Sequence, residues 1–214
     1  MYAARAKDKD LTFVVSGMLW QRSLVMLDLE TRSLWSHLLG RAMSGPLEGA
    51  ELESIPSVMT DWKTWRAEHP DGTVLNLPRT SHEYRREFYR DRSQFVIGMA
   101  EGPARAWPFD QLTRQPVVND QFNEVSVLVL FMAESSTALI YDRRVGDRTL
   151  SLSNESGKLL DRETGSQWDP ASGKAIAGPL AGRVLPRAIG VVSYRRAWEN
   201  FHPDSEYWRA GDNR

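Results

Sequence analysis

Residues 28–49 read DLETRSLWSHLLGRAMSGPLEG, and residues 161–182 read DRETGSQWDPASGKAIAGPLAG. Asp28, Glu30, Trp35, Gly40, Gly45, Pro46 and Gly49 fall on Asp161, Glu163, Trp168, Gly173, Gly178, Pro179 and Gly182 at a constant offset of about 133 positions. Self-similarity at a fixed offset is the mark of a duplicated supersecondary unit. The offset runs on without a gap through Leu52 and Leu185, Trp65 and Trp198, and His69-Pro70-Asp71 and His202-Pro203-Asp204. Upstream it changes to about 139, which sets Leu11 on Leu150 and Tyr2 on Tyr141. The first copy thus holds about six extra residues around Met18 to Ser23, Trp20 among them. Residues 94–139 have no partner in the first copy. The pattern predicts a first unit without its N-terminal hairpins, hence a fragment, or a sheet edge that a partner or a missing segment covers.

Leu11 to Val15 and Leu24 to Leu29 are short aliphatic runs, and the Glu30-Thr31-Arg32 turn after the second leads into Ser33 to Ser36 as a hairpin return. In the second copy the turn reads Glu163-Thr164-Gly165, where glycine suits a positive φ. Glycines punctuate two further strands, Arg41 to Ser44 and Ala50 to Ile55. Thr60 is placed to cap a helix over Asp61 to Glu68, and Ser193 a helix over Tyr194 to Phe201. Phe95 to Ala100, Ala104 to Trp107, Val117 to Phe122, Val125 to Phe131 and Thr137 to Tyr141 all read as strands. The expected fold is mainly β (β-rich α+β): two pseudo-symmetric strand-meander units, each ending in one short helix, the first incomplete. Residues 1–75 form the C-terminal half of the first unit, 76–94 a connector, and 95–214 the second, complete unit.

The composition excludes several chemistries. With 214 residues, 41% hydrophobic and eight of them Trp, the chain has enough apolar mass for a substantial core. A net charge of −1 leaves no electrostatic footprint for nucleic acid. The absence of cysteine removes thiolate ligands, disulfides and thiol nucleophiles together. The longest apolar run, Val125 to Met132, is too short for a membrane-spanning helix, and the charged start MYAARAKDKD has no signal-peptide core. Compartment stays open.

Residues shared by both copies serve the fold more readily, and those in one copy are freer to serve a site. Asp28, Glu30, Asp161 and Glu163 flank a tight turn twice, so their oxygens are read as accepting turn amides rather than as acid–base pairs. Trp35, Trp168, Trp65 and Trp198 are read as core anchors, and with Gly45, Pro46, Gly178 and Pro179 they complete the structural framework. His69 and His202, before Pro-Asp, are read as helix-end caps. No His has a ligand-spaced neighbour, so neither metal nor cofactor is expected. Trp20, Trp62, Trp107 and His37 are not repeated and are the candidate ligand-binding residues. Tyr84 to Arg92 alternate aromatic and basic residues, but Glu87 and Asp91 interrupt them, and with His82 they are assigned to the connector.

The stretches VSGMLWQRSLVMLDLETRSLWSHLLGRAMSGPLEG, VIGMAEGPARAWPFDQL, VVNDQF, ALIYDRRVGDRTLSL and DRETGSQWDPASGKAIAGPLAG, in that order, resemble the prokaryotic domain-of-unknown-function family 3179 (DUF3179). The resemblance spans about Leu11 to Tyr207. It implies an upstream half carrying a Trp-His-Glu run and a Cys-Pro-x-Cys-Gly run, and members that are often exported. The matching places here are Arg114-Gln115-Pro116 and Met132 to Ser136, which hold no strong ligand, so no metal or thiol site carries over. The expected function is a non-catalytic binding or scaffold module. The alternatives are a fragment of a metal- or thiol-dependent enzyme with its active half upstream, and a carbohydrate- or peptide-binding β module using exposed Trp.

Overall fold

The two aspartates that open the repeated stretch each end a strand and are buried, Asp28 at 0% and Asp161 at 1% exposure. A lone carboxylate in such a place is costly unless every oxygen is hydrogen-bonded. Here Asp28 accepts from the Thr31 amide (2.6 Å), the Thr31 hydroxyl, the Ser33 amide (3.1 Å) and the Trp35 indole (2.8 Å). Asp161 accepts from Thr164, Ser166 and Trp168 in the same way, at 2.6, 3.1 and 2.9 Å. One carboxylate therefore closes the turn, sets the return strand and fixes the core tryptophan. Burial pushes the Asp28 carboxyl up, but the hydrogen bonds from Trp35, Thr31 and Ser33 outweigh it and hold it below its ordinary value. Glu30 and Glu163 serve the neighbouring strand, accepting from the Thr12 and Ser151 amides, each at 2.8 Å.

Arg32 and Gly165 take the turn's positive φ, +59° and +68°. The segment that follows the fourth strand of each sheet then folds back onto the turn. Ser33 Oγ accepts from the Leu47 amide and Ser166 Oγ from the Leu180 amide, both at 3.0 Å. Gly45 and Gly178 allow that approach, because a Cβ at either would lie 2.7 Å from the Cα of Ser33 or Ser166.

This computed structural model describes residues 1–74 and 91–211. The first strands are β1 (Arg5–Ala6), β2 (Lys9–Asp10), β3 (Phe13–Trp20), β4 (Ser23–Asp28), β5 (Leu34–Ser36) and β6 (Arg41–Ser44), followed by helix α1 (Trp62–Glu68). After a 3-10 turn at Arg92–Gln94 come β7 (Phe95–Met99), β8 (Arg105–Pro108), α2 (Phe109–Arg114), β9 (Val117–Phe122), β10 (Val125–Met132) and β11 (Thr137–Asp142). The short pair β12 (Arg144–Val145) and β13 (Arg148–Thr149) leads to β14 (Leu152–Glu155), β15 (Lys158–Asp161), β16 (Gln167–Trp168) and β17 (Ala175–Ala177). The chain closes with β18 (Val191–Tyr194), α3 (Arg195–Phe201) and β19 (Glu206–Tyr207).

The protein is mainly β, built of several small sheets rather than a closed barrel among the described residues. Two of the sheets are four-stranded meanders, β3-β4-β5-β6 and β14-β15-β16-β17, each containing one Asp-Trp turn. Two compact units are present. One comprises Met1–Ser57 with Arg196–Asp204, the other Val58–Arg195 with Ser205–Arg214. In chain order a helix follows each meander, yet α1 falls in the second unit and most of α3 in the first.

The first unit packs Ala6, Leu11, Trp35, Ala42, Leu47 and Leu52 together. In the second unit β10 is central, pairing β9 on one side and β11 on the other. Its alternation explains the long apolar run: Val127, Val129 and Phe131 join a cluster with Trp107, Phe109 and Ile140, while Leu128 and Leu130 join Tyr141, Leu152 and Trp168.

Several local expectations are revised. Asp61, not Thr60, caps α1, its side chain accepting from the Thr64 amide at 2.7 Å. Ser193 lies inside β18, paired with Val96, rather than at a helix cap. Ala50 to Ile55 makes only isolated bridges at Glu51 and Ser54. The six residues of α2, absent from the all-strand reading, form because Phe109 and Leu112 lie one turn apart and bury together. β3 runs on through the extra residues, with a register shift between Val15 and Leu19 where Gly17 has φ +79°. Of the connector, residues 75–90, including Tyr84 to Arg90 and His82, lie outside the described residues.

Candidate functional site

The second unit contains a cavity of about 480 Å³, lined by α1, by the facing parts of β10 and β11, by the loop after β16, and by Arg187. Its wall combines Trp65, Val58, Met132 and Leu139 with Thr60, Thr64, Glu68, His69, Thr137, Asp169, Ser172 and Arg187. Small-molecule sites occupy about 300–1,000 Å³ and combine an apolar lining with a few convergent polar groups.

Each wall is held in place. Thr60 accepts a hydrogen bond from the Thr137 hydroxyl at 2.8 Å, which ties the residue before the α1 cap to the start of β11. Trp65 and His69 stack across one helical turn with ring centroids 4.0 Å apart, since residues i and i+4 share a helix face. On the opposite side Tyr141 donates to the carbonyls of Pro170 and Ala171, at 3.0 and 2.7 Å. Burial pushes its phenol above the ordinary tyrosine value, so it stays neutral and able to donate. Gly173 has φ +69°, and any Cβ there would collide with the Tyr141 ring. Arg187 donates to the Ala171 carbonyl (2.6 Å) and the Tyr141 hydroxyl (3.1 Å), with its guanidinium 5.4 Å from the Tyr141 ring centre. Asp169 accepts from the Ser172 amide at 2.8 Å and from the Ser172 hydroxyl. The polar groups are thus positioned by backbone anchors before any ligand arrives.

Of the residues singled out from sequence, none of Trp20, Trp62, Trp107 and His37 lines this cavity. Trp20 lies in β3 of the first unit, edge-on to Phe201 at 4.9 Å. Trp62 is exposed on α1. His37 is exposed in the first unit, and its pKa is lowered by partial desolvation of the ring and then by the charge of the amino terminus. Trp107 presents no surface at all: it is fully buried and its indole N–H bonds Asp120 at 3.0 Å.

Trp65, expected as a core anchor, is 39% exposed, whereas Trp35, Trp168 and Trp198 are buried. The reason is that α1 buries none of its residues, and its tryptophan lines the cavity instead of joining a core. His69 and His202 do not reach the helix-end carbonyls with their rings. Their backbone amides bond Trp65 and Trp198, and their imidazoles stack on those indoles, His202 at 4.3 Å.

Sequence reasoning passed over Glu68, Asp169, Ser172 and Arg187. A signal was present, because at the offset of about 133 these positions stand opposite Phe201, Ser36, Leu39 and Ser54, and so differ between the two stretches. A buried ion pair was also missed. Arg105 donates to both oxygens of Asp120, at 2.9 and 3.0 Å, to the Gln121 carbonyl at 3.0 Å, and to Glu206. All of its reach is committed to structure.

Among the described residues no group of three or more His, Asp or Glu side chains is arranged to hold a metal ion, and no helix is long and apolar enough to cross a membrane. The fold and the cavity together define a mainly β protein with a partly apolar site set by side chains. The chain belongs to the family described as a protein of unknown function, DUF3179, which matches residues 1–94 and again residues 87–210. No curated protein and no solved structure matches the chain.

Proposed function

We propose that the protein is a non-catalytic binding module built from a duplicated unit, residues 1–75 being the C-terminal half of the first copy and 95–214 the complete second, joined by residues 76–94, and that the cavity beside α1 is where it binds. The observation that carries this reading is the cavity itself: preset polar groups around an exposed tryptophan on a helix that contributes nothing to a core. A helix with no buried residue gains little from packing. Its placement beside Thr137, tied by the Thr60 hydroxyl, is better explained by a site than by stability. Thr64 projects into the cavity from a half-buried position, so Thr64→Trp fills the space without disturbing a core. Ligand-observed NMR with a mixture of small sugars, amines and short peptides is expected to show binders to the wild-type chain that vanish with Thr64→Trp at an unchanged melting temperature. Binders that persist in the variant, or none in the wild type, would overturn the reading.

A second surface supports a scaffold role. β3 is an edge strand with Val15 71% and Leu19 72% exposed, whereas the corresponding strand β14 is bonded along its outer side by Asn119, both ways with Leu152 at 2.7 and 2.8 Å. An uncovered apolar edge invites pairing with another strand, and a second copy of the chain is the simplest partner. Sedimentation velocity is expected to show association that rises with concentration and is abolished by Leu19→Lys. A wild-type protein that sediments as a monomer throughout would exclude this partner.

A further inference from the structure

We infer that the cavity takes a neutral oligosaccharide, with one pyranose ring set against Trp65; this rests on the reading of the cavity as the binding site. Among the described residues Glu68 and Asp169 put two carboxylates around the space against the single guanidinium of Arg187. An anionic ligand would meet net repulsion there. A cationic ligand would be drawn to the carboxylates and the indole face, but it could use acceptors only, and Arg187 would oppose it.

A sugar hydroxyl both donates and accepts. It therefore uses the whole wall: carboxylate acceptors at Glu68 and Asp169, the guanidinium donor at Arg187, the Thr60 hydroxyl, whose proton is left to donate, and the Ser172 hydroxyl, which can accept. The apolar C–H face of a pyranose needs a flat partner, and Trp65 supplies one, held by the His69 ring at 4.0 Å. A peptide would be held chiefly by unpaired strand-edge amides. Here the polar groups are side chains, and the Ala171 carbonyl is already bonded by Tyr141 and Arg187.

The test is isothermal titration of the whole chain with cellotriose, maltotriose and chitotriose, with triglycine and choline as competing classes. At least one trisaccharide is expected to bind. Trp65→Ala should weaken that binding about tenfold, the equivalent of one lost stacking contact, and Trp65→Phe by much less. Trp65 is exposed, so equal melting temperatures of the variants check that folding is intact. Binding of triglycine or choline at Trp65, with no trisaccharide bound, would overturn the ligand class and leave the site. Failure of all five probes would count against both, and sugar binding indifferent to Trp65→Ala would overturn the inference alone.

Discussion

Asp161→Ala is expected to destabilise the second unit by about 3–5 kcal/mol. The substitution takes the acceptor from the Trp168 indole and the Thr164 amide and leaves the Ser166 amide only the Thr164 hydroxyl at 3.3 Å. Leaving a buried donor unpaired costs about 1–3 kcal/mol, and three share the loss, of which the Thr164 turn is half-buried and can find water. Asp161→Asn keeps one acceptor oxygen for Trp168 but turns an NH2 toward donors, so a cost nearer 1–3 kcal/mol follows. Urea unfolding followed by tryptophan fluorescence measures both. A loss below about 1 kcal/mol for Asp161→Ala would show that the carboxylate is not what holds turn, return strand and tryptophan together. Asp28→Ala should behave alike in the first unit, since its bonds repeat those of Asp161 within 0.1 Å at the indole, 2.8 against 2.9 Å.

Arg105→Met is the second large effect, also about 3–5 kcal/mol, because it leaves the Asp120 carboxylate buried without its counter-ion. Asp120 is 3% exposed and would retain only the Trp107 indole and the Gln121 amide. Removing the stranded charge as well should recover most of the loss, so Arg105→Met/Asp120→Asn is expected to be more stable than Arg105→Met alone. Denaturant midpoints of wild type and both variants test this. A cost that Asp120→Asn does not relieve would assign it to lost packing of the arginine stem instead.

The Asp-Trp framework was legible in the sequence because its residues recur at one spacing, and recurrence marks those whose geometry the fold cannot vary. The turn glycines were legible for the same reason, each occupying a positive φ or a place where a Cβ would strike a neighbour. The ion pair of Arg105, Asp120 and Glu206 was not, since three residues far apart in the chain meet only through the pairing of β8 with β19 and its proximity to β9. Helix α2 was hidden by its length, six residues being too few to display a 3.6-residue period. The cavity was half legible. Its polar residues occupy positions that differ between the two stretches, but Glu68, Asp169 and Arg187 declare no common purpose until the fold brings them together. Trp65 misled, because it recurs as Trp198 and one of the pair is buried while the other is exposed.

Eight tryptophans give eight indole N–H signals in a 1H–15N spectrum, and Trp65→Phe assigns one of them. Titration with cellotriose, maltotriose and chitotriose is expected to shift the Trp65 signal with at least one of them, while the buried indoles of Trp35, Trp107 and Trp168 stay fixed on their aspartates. A Trp65 signal that stays still with all three sugars would contradict the assignment of this cavity.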